Sequence, residues 1–285
     1  SAHSTAAEYD EQRLHLGVEL TRQLQEFAKT NHVTMHVLIQ GAWGYLVHRY
    51  SGRDCILFGE TISGRPATLP DVEHMVGLFI NTLPVRMDFA TDVDVVTWLQ
   101  HLHRDSVERE AFAYLPLLEI QALSGLPRGQ SLFETLLAFN NLRAPDVART
   151  EQDLHVEAMQ GDEQTNYGLT LSAHLLEDLS FRLTYRTGQY ASATLNTLLG
   201  HFREILSGIA NAHGKTVSQL PLLTRVEEEQ ASARCLTTAT RPDAQGADEA
   251  TEIAKKVRTG TININHFGMP FNAPFGGYKN SGLGR

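Results

Sequence analysis

Histidine is the side chain best suited to moving protons near neutral pH, and this chain of 285 residues carries 13 of them. None has a histidine neighbour. The nearest imitation of a catalytic constellation is HLHRDS at 101–106, with His101, His103 and Asp105. The pattern around it predicts a helix, where residues two apart point to nearly opposite sides. A helical histidine pair that grips a metal needs i, i+4 spacing. His101 and His103 therefore read as solvated or capping residues, and so do His32, His36 and His48. His174 falls out of phase with the apolar face of its strand, which points to solvent. No catalytic and no metal-ligating residue is assigned.

Other chemistries lack their residues. GxSxG, GxxxxGK[ST] and GxGxxG are absent, and the Gly-rich SGLGR at 281–285 is followed by no helix that could receive a phosphate. Glu227–Glu229 reads as a solvated helix end. Cys55 and Cys235 stand far apart with no ligand motif beside either, which suggests a reducing compartment, by default the cytoplasm. A formal charge of -9, from 33 acidic and 24 basic side chains, argues against nucleic acid as a partner. No apolar run approaches the ~20 residues of a membrane span, and the N-terminal stretch has no signal-peptide pattern.

The elements that must position any site follow from periodicity. After a polar leader, Leu20, Leu24 and Phe27 mark an amphipathic helix. Thr34 is placed to cap the next, along which Leu38, Ala42, Leu46 and Tyr50 recur, widened by Trp43 and Val47. Gly52 stops it, and Cys55–Ile62 reads as a strand. A loop over 63–70 leads to a strand at 79–87, where Pro84 demands an edge or a bulge. Helices are expected from Val95 to Glu110 and from near Pro116. Leu169, Leu171, Ala173 and Leu175, then Leu179, Phe181, Leu183 and Tyr185, alternate about Glu177-Asp178, an antiparallel hairpin with one buried face. Leu195, Leu198, Phe202, Ile205 and Ile209 form a long amphipathic helix. Irregular mixing of strands and helices favours a sheet layered with helices over a doubly wound fold. From about Glu227 the chain turns polar and aperiodic, as a linker does.

VGLFINTLPVR at 76–86 closely resembles the (I/V)GxFVNTxxxR motif of nonribosomal peptide synthetase condensation domains, a family that shares its fold with chloramphenicol acetyltransferase. The likeness continues through YLPLLEIQALSG (114–125), SLFETLLAFNN (131–141) and VSQLPLLTRVEEEQ (217–230), and covers roughly 9–230. It implies an α/β fold: a chloramphenicol-acetyltransferase-like lobe with a mixed, largely antiparallel sheet packed against helices. It implies amide-bond formation between aminoacyl thioesters on carrier proteins, with no cofactor bound directly and a carrier's phosphopantetheine arm presenting each substrate. By the same resemblance Phe79, Asn81 and Thr82 are candidates to line the substrate tunnel. By residue type alone, Phe79, Ile80 and Leu83 are core positions. The family's HHxxxDG motif is absent from these residues, so the reading is a C-terminal lobe over 1–230, inactive alone, whose partners are carrier proteins and a missing N-terminal lobe. A noncatalytic carrier-binding module is the alternative. Finally, residues 250–285 resemble the C-terminal segment of aldehyde dehydrogenases through TGTININ and APFGGYKNSGLGR, after a linker at 231–249. No match to the nucleophilic cysteine or the dinucleotide-binding half accompanies that segment, which makes an NAD-dependent dehydrogenase remnant the third reading.

Overall fold

A computed structural model describes residues 9–63, 65, 70–127, 130–140 and 165–238. In chain order these form β1 (Tyr9–His15), α1 (Val18–Thr30), α2 (Met35–Ser51), β2 (Cys55–Ile62), β3 (Asn81–Asp88), α3 (Val95–Glu110) and α4 (Leu117–Leu123). They continue with β4 (Thr135–Asn140), β5 (Leu169–Leu175), β6 (Leu179–Arg186), α5 (Ser192–Ala210) and α6 (Arg225–Thr238). The described residues fall into two compact units, one running to Leu222 without Tyr50–Gly52, the other joining Tyr50–Gly52 to Leu223–Thr238.

In the first unit six strands form one sheet in the order β1-β6-β5-β4-β2-β3. The outer pairings β1–β6, β6–β5 and β2–β3 are antiparallel, while β4 lies parallel to both β2 and β5. This is the mixed sheet with packed helices expected from the sequence. Pro84 has no N–H to give a ladder, and it sits on β3, an edge strand with a neighbour on one side only among the described residues.

The helices cover one face. Phe202 of α5 meets Phe181 of β6 edge-on at 5.0 Å and Trp43 of α2 at 6.1 Å between ring centres. The sequence predicts a single apolar stripe on α2, yet every residue from Val37 to Leu46 is buried. Two glycines explain the difference by letting neighbours approach the backbone. A Cβ at Gly41 would lie 2.9 Å from Leu99 of α3, and one at Gly44 would lie 2.1 Å from Met87 of β3. With the sheet, α3 and α5 all against it, α2 has no wet side along its middle. Thr34 caps it as expected, its Oγ1 accepting from the N–H of Val37 at 3.2 Å. Gly52, at φ +65°, follows its end in the left-handed region that favours glycine.

Four expectations need correction. The polar leader contains β1, whose polar residues hide its alternation; it is held by seven register pairs with β6, by Tyr185 donating to Asp10 at 2.8 Å and by Arg186 donating to Tyr9 at 2.9 Å. The alternation in the hairpin predicts one buried face, but β5 also buries Thr170 and Ser172 on the other, where Thr165 meets Thr170 hydroxyl to hydroxyl at 2.6 Å. His174, expected in solvent, is half-buried on that strand. In the second unit the stretch that reads as polar coil from Glu227, including the first part of the 231–249 linker, is helical to Thr238. Thr224 and Glu227 close a reciprocal cap there: Thr224 N–H and Oγ1–H donate to Glu227 at 2.8 and 2.7 Å, and Glu227 N–H returns a bond to Thr224 Oγ1.

Candidate functional site

One row of residues crosses the helix-covered face of the whole sheet: Leu83, Glu60, Leu137, Leu171, Leu183 and Gln12, each opposite the next. Glu60 is the only charged member, and it is 1% exposed. A carboxylate placed there survives only if its oxygens are bonded and its charge met. Both conditions hold. His36 and Gln40, one turn apart on α2, reach it from one side: His36 through Nε2 to Oε1, and Gln40 through Nε2 to both oxygens at 2.9 and 2.8 Å. Arg109, from the last turn of α3, donates to Oε2 at 3.0 Å. Burial pushes the Glu60 carboxyl up, but the hydrogen bond and field of His36, the field of Arg109 and the Gln40 bond together hold it below its ordinary 4.5.

The cluster forms one wall of an open cleft of about 560 Å³. The start of α2 contributes Met35 and His36, the end of β2 contributes Glu60 to Ser63, and α3 contributes Ser106, Arg109 and Glu110. The spacing 106, 109, 110 is one face of a helix. Phe139 of β4 stacks on the His36 ring at 5.6 Å and joins Leu83 and Leu175 as an apolar floor. Of HLHRDS only Ser106 borders the cleft; His101 and His103 do not.

Of the three tunnel candidates Asn81 and Thr82 open β3 and Phe79 lies two residues before it, and none is among the described residues lining this cleft. Phe79 is half-buried beneath the Arg65 guanidinium, 4.2 Å from its ring centre. Asn81 donates both Nδ2 hydrogens, to the carbonyls of Ala113 and Leu115 at 2.8 and 2.7 Å, and accepts from Thr82 N–H at 2.8 Å. That fastens the α3–α4 connection to the sheet. Thr82 is half-buried beside it.

The sequence reading leaves His36 solvated, but it is bonded to a buried carboxylate and stacked on Phe139. His48 likewise packs on Phe89, 4.3 Å between ring centres, and its Nδ1 meets the Arg53 carbonyl at 2.8 Å, while His32 is exposed as expected. The signal that sequence reasoning misses is local. Glu60 is in phase with Ile56 and Phe58 on a strand whose inward face is apolar, and an in-phase charge there requires partners. His36 and Gln40 stand four apart, the spacing that lets two side chains of one helix reach one atom.

The fold fits a known class. The condensation-domain family matches residues 1–231, and the chain belongs to that family. One of the proteins that make up the linear gramicidin synthase of Brevibacillus parabrevis is 34% identical over 263 residues, 88% of this chain and 5% of that protein. Tyrocidine synthase 2 of the same organism is 32% identical over 244 residues, 84% of this chain and 7% of that protein. Among solved structures, the X-domain from teicoplanin biosynthesis shares the fold with a TM-score of 0.63 at 22% identity, covering 76% of this chain and 50% of that one. A four-domain nonribosomal peptide synthetase, holo-AB3403, matches with a TM-score of 0.64 at 16% identity over 78% of this chain and 18% of that one. The chain thus spans under a tenth of these two curated relatives and half of the X-domain chain. The stretch 250–285, with its resemblance to aldehyde dehydrogenases, lies outside both the described residues and the family match.

Proposed function

We propose that these residues are one lobe of a condensation domain that forms amide bonds between aminoacyl groups carried as thioesters on carrier proteins. The observation that supports this most is the family match over 1–231, taken with coverage of half of a solved relative's chain. The sheet and its helices supply a wall against which a carrier's phosphopantetheine arm is laid, with Phe79, Asn81 and Thr82 at its border. The proton-handling histidine pair of the family is not among these 285 residues, so this lobe positions substrates and the histidine-bearing lobe does the proton work. Its partners are that lobe and the carrier proteins, and its setting is the cytoplasm, where such carriers are loaded.

The test is complementation. Incubated with two aminoacyl carrier proteins, the chain alone should yield no dipeptidyl carrier, since a positioned acid–base group is worth typically ~10²–10⁴-fold in rate. Added to a separately produced lobe containing HHxxxDG, it should restore product that is lost when the second histidine of that motif is changed to alanine. Product from the chain alone would overturn the assignment. Carrier binding without product in the complemented mixture would favour the noncatalytic docking module. The dehydrogenase reading draws support only from 250–285, and reduction of NAD by an aldehyde in the presence of the chain is the result that would revive it.

A further inference from the structure

The cleft wall holds an acceptor that no described residue uses. His36 lines the cleft and binds Glu60 through Nε2, while its Nδ1 has no partner among the described residues and is not one of the enclosed unpartnered atoms. In a neutral imidazole the single N–H is spent on Glu60, and Nδ1 presents a lone pair. Glu60 is locked in turn by Gln40 and Arg109, which fixes the ring orientation, and Phe139 stacks against the ring.

The charges around the cleft decide what that lone pair meets. Arg109 is committed to Glu60, and Arg65 to the carbonyls of Val72 and Met75. Glu110 borders the same cleft, is exposed, and its carboxylate has no hydrogen-bond or ion-pair partner among the described residues. At the α2 end, Thr34 already takes the N–H groups of Val37 and Leu38. The uncommitted polar side chains are thus an acceptor nitrogen, the hydroxyls of Thr61, Ser63 and Ser106, and one carboxylate, which is the only uncommitted charge on the described lining, over an apolar floor of Leu83, Phe139 and Leu175.

We infer that this cleft is a site for a primary amine joined to an apolar side chain, the amine donating to His36 Nδ1 and meeting its charge at Glu110. The identity of that amine as the free end of an aminoacyl group rests on the function proposed above; the amine site itself does not. Glu60 acts here as a positioning residue, holding the His36 tautomer.

The test uses the full chain and free small molecules, so it needs neither carrier proteins nor a second lobe. Leucinamide is titrated at pH 8 while the ring nitrogens of His36 are followed by ¹⁵N NMR, with 4-methylpentanamide as the desamino probe and 4-methylpentanoate as the anionic one. The expected result is a His36 spectrum with the proton on Nε2, saturable shifts of Nδ1 with leucinamide, and at least about tenfold weaker binding of the desamino probe, as loss of a charge-assisted bond implies. Glu110→Gln, an exposed change that leaves the fold intact, should weaken leucinamide by about threefold to tenfold and leave the desamino probe unchanged. Equal response to amine and desamino probes, or preference for 4-methylpentanoate, would overturn the inference. If leucinamide binds as described and complementation yields no dipeptide, the amine site stands and the condensation reading falls; if complementation succeeds and leucinamide leaves His36 unmoved, the reverse holds.

Discussion

Arg109 donates to Glu60 across 3.0 Å, joining the last turn of α3 to β2 through a carboxylate with 1% exposure. The pair is not self-sufficient, since His36 and Gln40 occupy the rest of the carboxylate. Breaking it from one side leaves a buried charge with half its compensation. Arg109→Ala should therefore cost about 3 kcal/mol of unfolding free energy, measured by urea denaturation. The double variant Glu60→Gln/Arg109→Met, which removes both charges, should recover most of that loss. A cost under about 0.5 kcal/mol for Arg109→Ala would mean that His36 and Gln40 alone suffice to hold Glu60.

The same carboxylate should leave a mark on the acid limb of stability. Its folded pKa is below the ordinary value because its partners outweigh its burial. A group of that kind binds fewer protons when folded, so its contribution is present above the unfolded pKa and is lost as pH falls through the folded one. Urea midpoints of the parent chain and of Glu60→Gln, taken from about pH 7 down to about pH 3, should converge as the pH drops. A gap that stays constant or widens toward acid would show that Glu60 is not held ionised.

Asn81 offers a contrast with the catalytic-looking side chains, because both its Nδ2 hydrogens are spent on the backbone between α3 and α4. Asn81→Ala should destabilise the chain by about 2 kcal/mol, two ordinary bonds' worth. Asn81→Asp should be at least as harmful, since an ionised carboxylate cannot donate and would face two carbonyl oxygens. Hydrogen exchange in 111–116 should quicken in both variants. Full stability in Asn81→Ala would release Asn81 from a structural role and leave the tunnel as its remaining assignment.

Val76, Leu78 and Ile80 stand 103%, 91% and 63% exposed just before β3, so Ile80 is not the core position its residue type predicts. Apolar side chains grouped this way on an exposed surface mark a contact face. The isolated chain should self-associate, with sedimentation velocity showing mass rising with concentration, and Val76→Asp/Leu78→Asp should reduce it. A single monomeric species throughout, in the parent chain, would argue that this segment faces no partner lobe.

Local structure was legible in the residues alone. Cys55–Ile62 and Val95–Glu110 keep in the fold the bounds their periodicity predicts, and Thr34, Gly52 and Pro84 mark a cap, a stop and an edge, because each rests on backbone chemistry or on the period of a single element. The motif at 76–86 carried the family. What lay beyond reach of any one segment was decided by packing. β1 is a strand only because β6 pairs with it, and the apolar run of β4 has no period that separates a strand from a buried helix until β2 and β5 flank it. Glu60 reads as an ordinary acid in an apolar run until His36, Gln40 and Arg109, distant by 24, 20 and 49 residues, converge on it. Its ionisation, the orientation of His36 and the cleft between them are properties of that convergence. A carboxylate's environment is set by which atoms surround it, and here those atoms come from two helices, α2 and α3, that only the fold brings to β2.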